Sequence, residues 1–181
     1  MKGRLSPAMI AVVAVLIAIT ALFTIAVRIP IPATGGYVNF SDVAIYFTSF
    51  AFGPWVGLVA GGVGTALADI YGGYVQFAPL TFLAHGLEGL AAGLVARGRS
   101  KWWMVAGWAV GTVVMLGIYF LGEGLVLTGW GPAVAELPFN LLQNIVGGLV
   151  GIPLVLAVRR AYPPISQIGR RRQWQEGGQQ D

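Results

Sequence analysis

Long apolar runs, separated by short breaks that are polar or rich in glycine and proline, form most of this sequence. The intervals 5–27 and 102–122 contain no charged residue, and each is long enough for one membrane crossing of about 20 helical residues. The pattern predicts helices at about 7–27, 42–52, 54–70, 79–97, 102–122 and 132–158. The chain is therefore expected to be an all-α, polytopic membrane protein with six transmembrane helices in 1–160. The polar, basic tail 161–181 is expected to be disordered in the cytoplasm.

Two breaks in the apolar pattern set the ends of the shortest predicted helix. Residues 28–37 contain two prolines and two glycines, so they predict an ordered loop rather than a helix. Gly53 and Pro54 end the next apolar segment, because a residue that precedes proline disfavours helical angles. The segment 42–52 between these breaks has about eleven residues, which is short for a membrane crossing.

Composition and charge support a membrane location and predict an orientation. Apolar residues make up 56% of the chain and charged residues 10%, against about 25% charged in soluble domains. With six crossings, ten of the eleven basic residues lie on the cytoplasmic side and Arg28 alone lies outside, as the positive-inside rule favours. A five-crossing arrangement leaves Lys2 and Arg4 outside and is less favourable. Both termini are therefore expected in the cytoplasm of a multi-pass cell-membrane protein, and the basic charge does not require a nucleic-acid partner.

Several kinds of chemistry are excluded by residue content. The chain has no cysteine and one histidine, so it offers neither thiolate ligands nor a multi-histidine cage, and no metal site is expected. It also lacks the phosphate-binding motif of P-loop ATPases. No cofactor is therefore expected, and any energy for transport must come from a partner or a gradient.

Polar residues within the fourth predicted helix point to a function. Thr81, His85, Glu88 and Ala92 are spaced by four, three and four residues, which puts them on one helix face. Glu88 is the one acidic residue placed deep in a predicted span, where an unpaired carboxylate costs several kcal/mol. His85, one turn away, is its expected partner. A packing pair is the plainer interpretation, but ionisable residues inside membranes more often contact a ligand or ion.

A second polar group occupies the outer half of the sixth predicted helix. Glu136, Asn140, Gln143 and Asn144 share one face, and the rest of that helix is apolar. Bonds between helices would explain one or two such residues, whereas four outline a pocket that opens outward. The amides suit a heterocycle because they offer both donors and acceptors. Nearby aromatic residues that would stack on such a ligand, or form an interfacial belt, are Tyr37, Tyr71, Tyr74 and Trp130.

Four acidic residues fall at the outer ends of predicted spans. These are Asp42, Asp69, Glu123 and Glu136. They are interpreted either as solvated loop charge or as part of an outward-facing site, and the sequence leaves both interpretations open. Small residues at four-residue spacing, including Gly57 with Gly61 and Ala14 with Ala18, predict close helix contacts.

The ordered motifs of this chain resemble one family of membrane proteins. They are PATGGYVNFSD at 32–42, FGPWVGLVAGGVGTALAD at 52–69 and HGLEGL at 85–90. Together they resemble the substrate-binding S component of energy-coupling factor (ECF) vitamin transporters, over roughly residues 8–158. Within the family the chain looks most similar to members assigned to hydroxymethylpyrimidine, the thiamine precursor, and to riboflavin-type S components; pyridoxine is a further alternative.

The resemblance implies a fold, a site and partners. S components have six helices and a vitamin pocket near the outer face covered by the first loop. They associate with a transmembrane coupling protein and two ATPases, which hydrolyse the ATP. The implied coupling-protein contact is at Ala14 and Ala18. The expected ligand contacts are His85, Glu88 and Asn144, with Asn140, Gln143 and Tyr74 secondary. The expected gating loop comprises Ala33, Thr34, Gly35, Gly36, Tyr37 and Asn39.

Two other functional classes remain open at this stage. An intramembrane enzyme would use His85 and Glu88 as an acid–base pair, but no nucleophile or metal set accompanies them. A proton-coupled carrier or channel would work without ATPase partners. The expected function is vitamin capture rather than catalysis.

Overall fold

The computed structural model describes residues 7–32, 34–97 and 100–165. Within these residues it contains six α-helices, which confirms the predicted all-α architecture. They are α1 (Pro7–Ala26), α2 (Ser41–Phe52), α3 (Pro54–Gly72), α4 (Ala78–Ala96), α5 (Lys101–Gly122) and α6 (Trp130–Ala161). A π-helical turn, Glu123–Leu127, continues α5. The predicted tail lies outside the described residues from 166 onward.

Helix α2 differs from the other five helices in length and surroundings. The other five are long and apolar enough to cross a membrane, counting the π-helical turn with α5. Helix α2 has 12 residues, about 18 Å of helix, and ten of them are buried inside the protein. Asp42 in its first turn accepts from Gln143 of α6, and the carbonyl of Phe50 near its end accepts a bond from Arg159. Because Gln143 and Arg159 are about 24 Å apart along α6, α2 extends through most of the bundle.

The predicted loop after α1 is a short β-hairpin. Strand β1 (Ile29–Ile31) pairs antiparallel with β2 (Gly36–Val38), with Pro30 opposite Tyr37. In the connecting turn, the Thr34 hydroxyl donates to the Ile31 carbonyl and accepts from the Gly36 amide. Gly35 has a φ of 76°, a conformation that favours glycine. The loop was expected to be ordered and non-helical, but its strand pairing was not anticipated.

Arg28 fastens the hairpin to the end of α3. Its guanidinium donates to the carbonyl of Ala68 at 3.1 Å. The same group lies 4.5 Å from the ring centre of Tyr37 and 5.3 Å from that of Tyr74. These contacts hold the hairpin over the ends of α3 and α4.

Glycines bring α3 and α4 into close contact beside the polar face of α4. A Cβ atom added to Gly61 would lie 2.8 Å from the carbonyl oxygen of His85, and one added to Gly89 would lie 2.8 Å from that of Gly57. Gly151 of α6 approaches α2 in the same way, since its Cβ would lie 3.1 Å from the carbonyl of Val43. Because these glycines have no Cβ atom, the helix backbones that carry the polar residues can approach one another.

The Gly61→Ala variant is expected to be less stable than the wild type. The added methyl group would press on the backbone of α4, which cannot move aside as a flexible side chain would. Overpacking of this kind costs roughly 1–3 kcal/mol. The thermal midpoint in detergent should fall, whereas Gly117→Ala, which meets no atom within 4 Å, should leave it unchanged or raise it slightly. Equal midpoints for the two variants would contradict the close packing of α3 on α4.

Candidate functional site

A cavity lies between the hairpin and the adjoining ends of α3, α4, α5 and α6. Its volume is about 30 Å³, well below the roughly 300–1,000 Å³ of sites that enclose a small molecule, so a ligand would enter only if the hairpin or the lining side chains moved. Its lining residues are Gly36, Tyr37, Asn39, Asp69, Tyr74, Phe77, Thr81, His85, Tyr119, Glu123, Glu136, Asn140 and Gln143.

The cavity brings together most of the residues that the sequence marked. His85, Asn140, Gln143 and Tyr74 line it, as do three members of the expected gating loop, Gly36, Tyr37 and Asn39. Thr34 and Gly35 form the hairpin turn and are not among the lining residues, and Ala33 lies outside the described residues. Glu88 and Asn144 are fully buried and not among the lining residues either. Their assignment as direct ligand contacts stays a prediction.

His85 lies between two carboxylates. Its Nδ1 atom is 2.8 Å from Oε2 of Glu88, as the i, i+3 spacing predicted, and 3.3 Å from Oδ1 of Asp42 on α2. Glu88 is therefore not the one deeply buried acid, because Asp42 is equally shielded from solvent. Since Nδ1 is engaged by these carboxylates, Nε2 is the ring nitrogen left for the cavity. The sequence did not show this neighbour, because α2 and α4 are separated by the whole of α3.

Hydrogen bonds connect the hairpin, α2 and α6 at this point. The side-chain oxygen of Gln143 accepts from the Asn39 amide at 2.8 Å. The Gln143 amide donates to both oxygens of Asp42, at 3.2 and 3.3 Å. The Asn39 side chain accepts from the Ser41 amide at 2.7 Å. The Gln143 side chain therefore connects the cavity that it lines both to the hairpin and to the His85 cluster.

Asn144 belongs to a buried network that joins α2, α5 and α6 and lies close to Glu88. Its Oδ1 atom accepts from the hydroxyls of Tyr46 and Thr112. Its backbone carbonyl accepts from the indole of Trp108 at 2.8 Å. Asn144 Nδ2 and Glu88 Oε1 are buried without a hydrogen-bond partner in the described part of the chain.

Tyr37 connects the hairpin to α3. Its hydroxyl donates to Oδ1 of Asp69, and its ring lies 4.7 Å from that of Tyr74. Burial and the neighbouring carboxylate raise the pKa of Tyr37 well above its ordinary value. The hydroxyl therefore remains protonated and available as a donor to Asp69.

The acidic residues that the sequence places at the outer span ends are not solvated loop charge. Asp42, Asp69, Glu123 and Glu136 are between 0% and 5% exposed. Three of them line the cavity, and Asp42 contacts His85 behind it. Of the two interpretations left open by the sequence, their position favours the outward-facing site.

The aromatic residues divide between the cavity and the surface. Tyr37 and Tyr74 line the cavity, together with Phe77 and Tyr119, which sequence reasoning did not select. Tyr71 is 81% exposed and Trp130 is 48% exposed, and neither lines the cavity. Because every helix of this chain carries aromatic residues, only the packing of the helices distinguishes those that reach the cavity.

The remaining chemical possibility is a cation bound by the His85 cluster. One ligand-type atom each from Asp42, His85 and Glu88 lies within 4.8 Å of the others. The contacts of His85 Nδ1 with the two carboxylates already account for these short distances. The expectation that the protein has no resident metal stays a prediction.

Known proteins share this fold and sequence pattern. Residues 4–160 match the family described as the S component of the ECF-type riboflavin transporter. The thiamine precursor transporter HmpT of Lactococcus lactis subsp. cremoris is 36% identical over 119 residues, which cover 65% of this chain and 68% of that protein. A Pyrococcus woesei protein described as "uncharacterized protein in gap 3' region" is 38% identical over 143 residues, 78% of this chain and 95% of its own. The S component of a bacterial ECF transporter superposes with a TM-score of 0.69 at 25% identity, covering 84% of this chain and 95% of that one.

Proposed function

Because the chain belongs to the S-component family of ECF-type transporters, we propose that it captures a water-soluble vitamin or vitamin precursor in the cavity under the hairpin. The observation that carries this proposal is the cavity itself, where amide, imidazole and phenol groups from four elements converge on one space. Aromatic rings beside convergent polar groups are typical of sites that orient a small heterocycle.

We favour hydroxymethylpyrimidine, the thiamine precursor, as the ligand. The similarity to HmpT, a thiamine precursor transporter, supports this choice. The amide of Asn140 complements the ring nitrogens and hydroxyl of a pyrimidine, because it offers a donor and an acceptor. Riboflavin, named in the family description, and pyridoxine are the alternatives.

In this proposal the hairpin is the gate. Asn39 bonds to Gln143 and Tyr37 bonds to Asp69, so the hairpin is held by two residues that themselves line the cavity. Opening would break both bonds and let a ligand enter from the outer side. A ligand that bridges Gln143 and Tyr37 would favour the closed hairpin.

Transport in this proposal depends on partners. A coupling protein would contact α1 at Ala14 and Ala18, and two cytoplasmic ATPases would hydrolyse the ATP. Both alanines are exposed, whereas α1 packs on the bundle through Leu16, Thr20 and Thr24. Their exposure leaves this side of α1 accessible to the proposed partner. Cytoplasmic termini follow from the charge distribution and remain part of the proposal.

A proton-coupled carrier is the second candidate, because Asp42, His85 and Glu88 form a buried titratable group beside the cavity. Gradient-driven uptake by the isolated protein in liposomes would favour it. The enzyme interpretation has no such support, since the family is one of transporter components.

The proposed ligand class can be tested with the purified protein. Small molecules that co-purify should be identified by mass spectrometry, and binding of hydroxymethylpyrimidine, riboflavin and pyridoxine measured by titration calorimetry. We expect one of the three to bind with a Kd of about 1 μM or lower, equivalent to roughly 8 kcal/mol. Binding of none of them, with no co-purified vitamin, would contradict the proposed function.

A further inference from the structure

Two neighbouring glutamates form part of the wall of the cavity. Glu123 lies in the π-helical turn that follows α5, and Glu136 lies in the second turn of α6. They are 1% and 5% exposed, and their carboxyl groups lie close enough to influence each other electrostatically. Both line the cavity. The Glu136 carboxylate lies against Gly36 of the hairpin. A Cβ atom on residue 36 would collide with this carboxylate, so only glycine leaves room for it.

Among the described residues, no basic side chain forms an ion pair with either carboxylate. Both oxygens of Glu123 and Oε1 of Glu136 are buried without a hydrogen-bond partner in the part of the chain that the structure describes. At the cavity, the described contacts between a basic side chain and carboxylates are those of His85 with Asp42 and Glu88. Asp69 accepts from Tyr37 and has Arg28 nearby. Asp69 Oδ2 and Glu88 Oε1 are also buried without a partner, but among the described cavity carboxylates Glu123 is the one that lacks a donor on both oxygens.

Two buried carboxylates without donors are costly, and a ligand that supplies donors and positive charge removes that cost. A carboxylate binds an amidine-like group well, because an exocyclic amino group and an adjacent protonated ring nitrogen present two parallel N–H donors. A carbonyl group at the same ring position presents an acceptor to the carboxylate and is repelled. The pair therefore discriminates between amino and oxo heterocycles of the same size.

We propose that Glu123 and Glu136 bind the amino group of a basic nitrogen heterocycle, and so select an aminopyrimidine-type ligand over neutral oxo-heterocycles. This inference rests on the proposed function and narrows its ligand class. It assigns to the end of α5 and the start of α6 a specificity role that the His85 cluster and the amides of α6 do not supply.

The experiment compares two probes in four proteins. The probes are hydroxymethylpyrimidine and its analogue with a carbonyl oxygen in place of the exocyclic amino group. The proteins are the wild type, Glu123→Gln, Glu136→Gln and Asp69→Asn, all purified in nanodiscs. The wild type should prefer the amino probe, and each glutamine variant should reduce that preference by about 10- to 100-fold, the size expected for a charge-assisted hydrogen bond. Asp69→Asn is the matched control, because its carboxylate already has a donor, and should change both affinities by the same factor.

Four outcomes would overturn the inference. Equal losses for both probes in the glutamine variants would show a structural pair that shares a proton. A loss of preference confined to Asp69→Asn would place the amino group at Asp69. Amino-probe binding that a chelator abolishes and Ca²⁺ restores would assign the pair to a metal ion. Tight riboflavin binding with no preference for the amino probe would overturn the inference and keep the proposed function, whereas a wild type that binds no vitamin overturns both.

Discussion

The Glu88→Ala variant is expected to lose high-affinity vitamin binding while remaining folded. Glu88 is bonded to Nδ1 of His85, and this bond orients the ring that lines the cavity. Removing one partner of a buried, hydrogen-bonded charge pair costs roughly 2–5 kcal/mol, which is about 30-fold or more in Kd. Titration calorimetry with the best wild-type ligand measures the loss. Size-exclusion elution and the thermal midpoint verify the fold.

Two further variants separate orientation of His85 from a general loss of stability. Glu88→Gln keeps the volume and an acceptor for Nδ1, so it should retain more affinity than Glu88→Ala. Thr24→Val removes a buried hydroxyl of α1 that bonds only to its own helix, at the Thr20 carbonyl, and should bind as the wild type does. Unchanged affinity in Glu88→Ala would mean that the cluster behind the cavity has no part in ligand recognition.

Replacing Ala14 and Ala18 by leucine is expected to abolish uptake and to leave ligand binding intact. The two side chains are exposed one turn apart on α1, where a partner helix would need small residues for close approach. Loss of only about 1.4 kcal/mol of association free energy would reduce complex formation tenfold. Uptake into cells that carry the complete transporter measures the first effect, and calorimetry on the purified variant measures the second.

Ala109→Leu supplies the matched control for this pair. Ala109 is an exposed alanine of α5, so its replacement adds the same volume to a different part of the lipid-facing surface. It should leave both uptake and binding unchanged. Normal uptake by the Ala14→Leu, Ala18→Leu double variant would rule out a coupling contact at these positions.

Much of the fold was predictable because a membrane restricts what a chain can do. Backbone groups in lipid must be satisfied within one segment, so a long apolar run predicts a helix directly. Gly53 and Pro54 likewise placed the break between α2 and α3, which the structure shows with Gly53 at a φ of 101°. The hairpin was missed as a sheet, because its strands have three residues each and carry no alternating pattern.

The site was only partly predictable, because spacing along one helix is local information. The four- and three-residue intervals put His85 and Glu88 together, and the structure places them in contact. The spacing of residues along one helix could not predict contacts between different helices. Asp42 and Gln143, which are 101 residues apart in sequence, meet only because glycines of α6 let α2 approach.

The sequence alone determined that the chain is a helical membrane protein with polar residues gathered toward one end of its spans, because the length of apolar runs and the periodicity of polar residues are properties of single helices. The tertiary structure alone decided that the acidic residues at the span ends are buried around one cavity. Such residues are ordinarily hydrated at the membrane surface. Here the hairpin folds back over the helix ends and excludes water from Asp69 and Glu136, while the π-helical turn buries Glu123. That exclusion makes their charge relevant to the ligand.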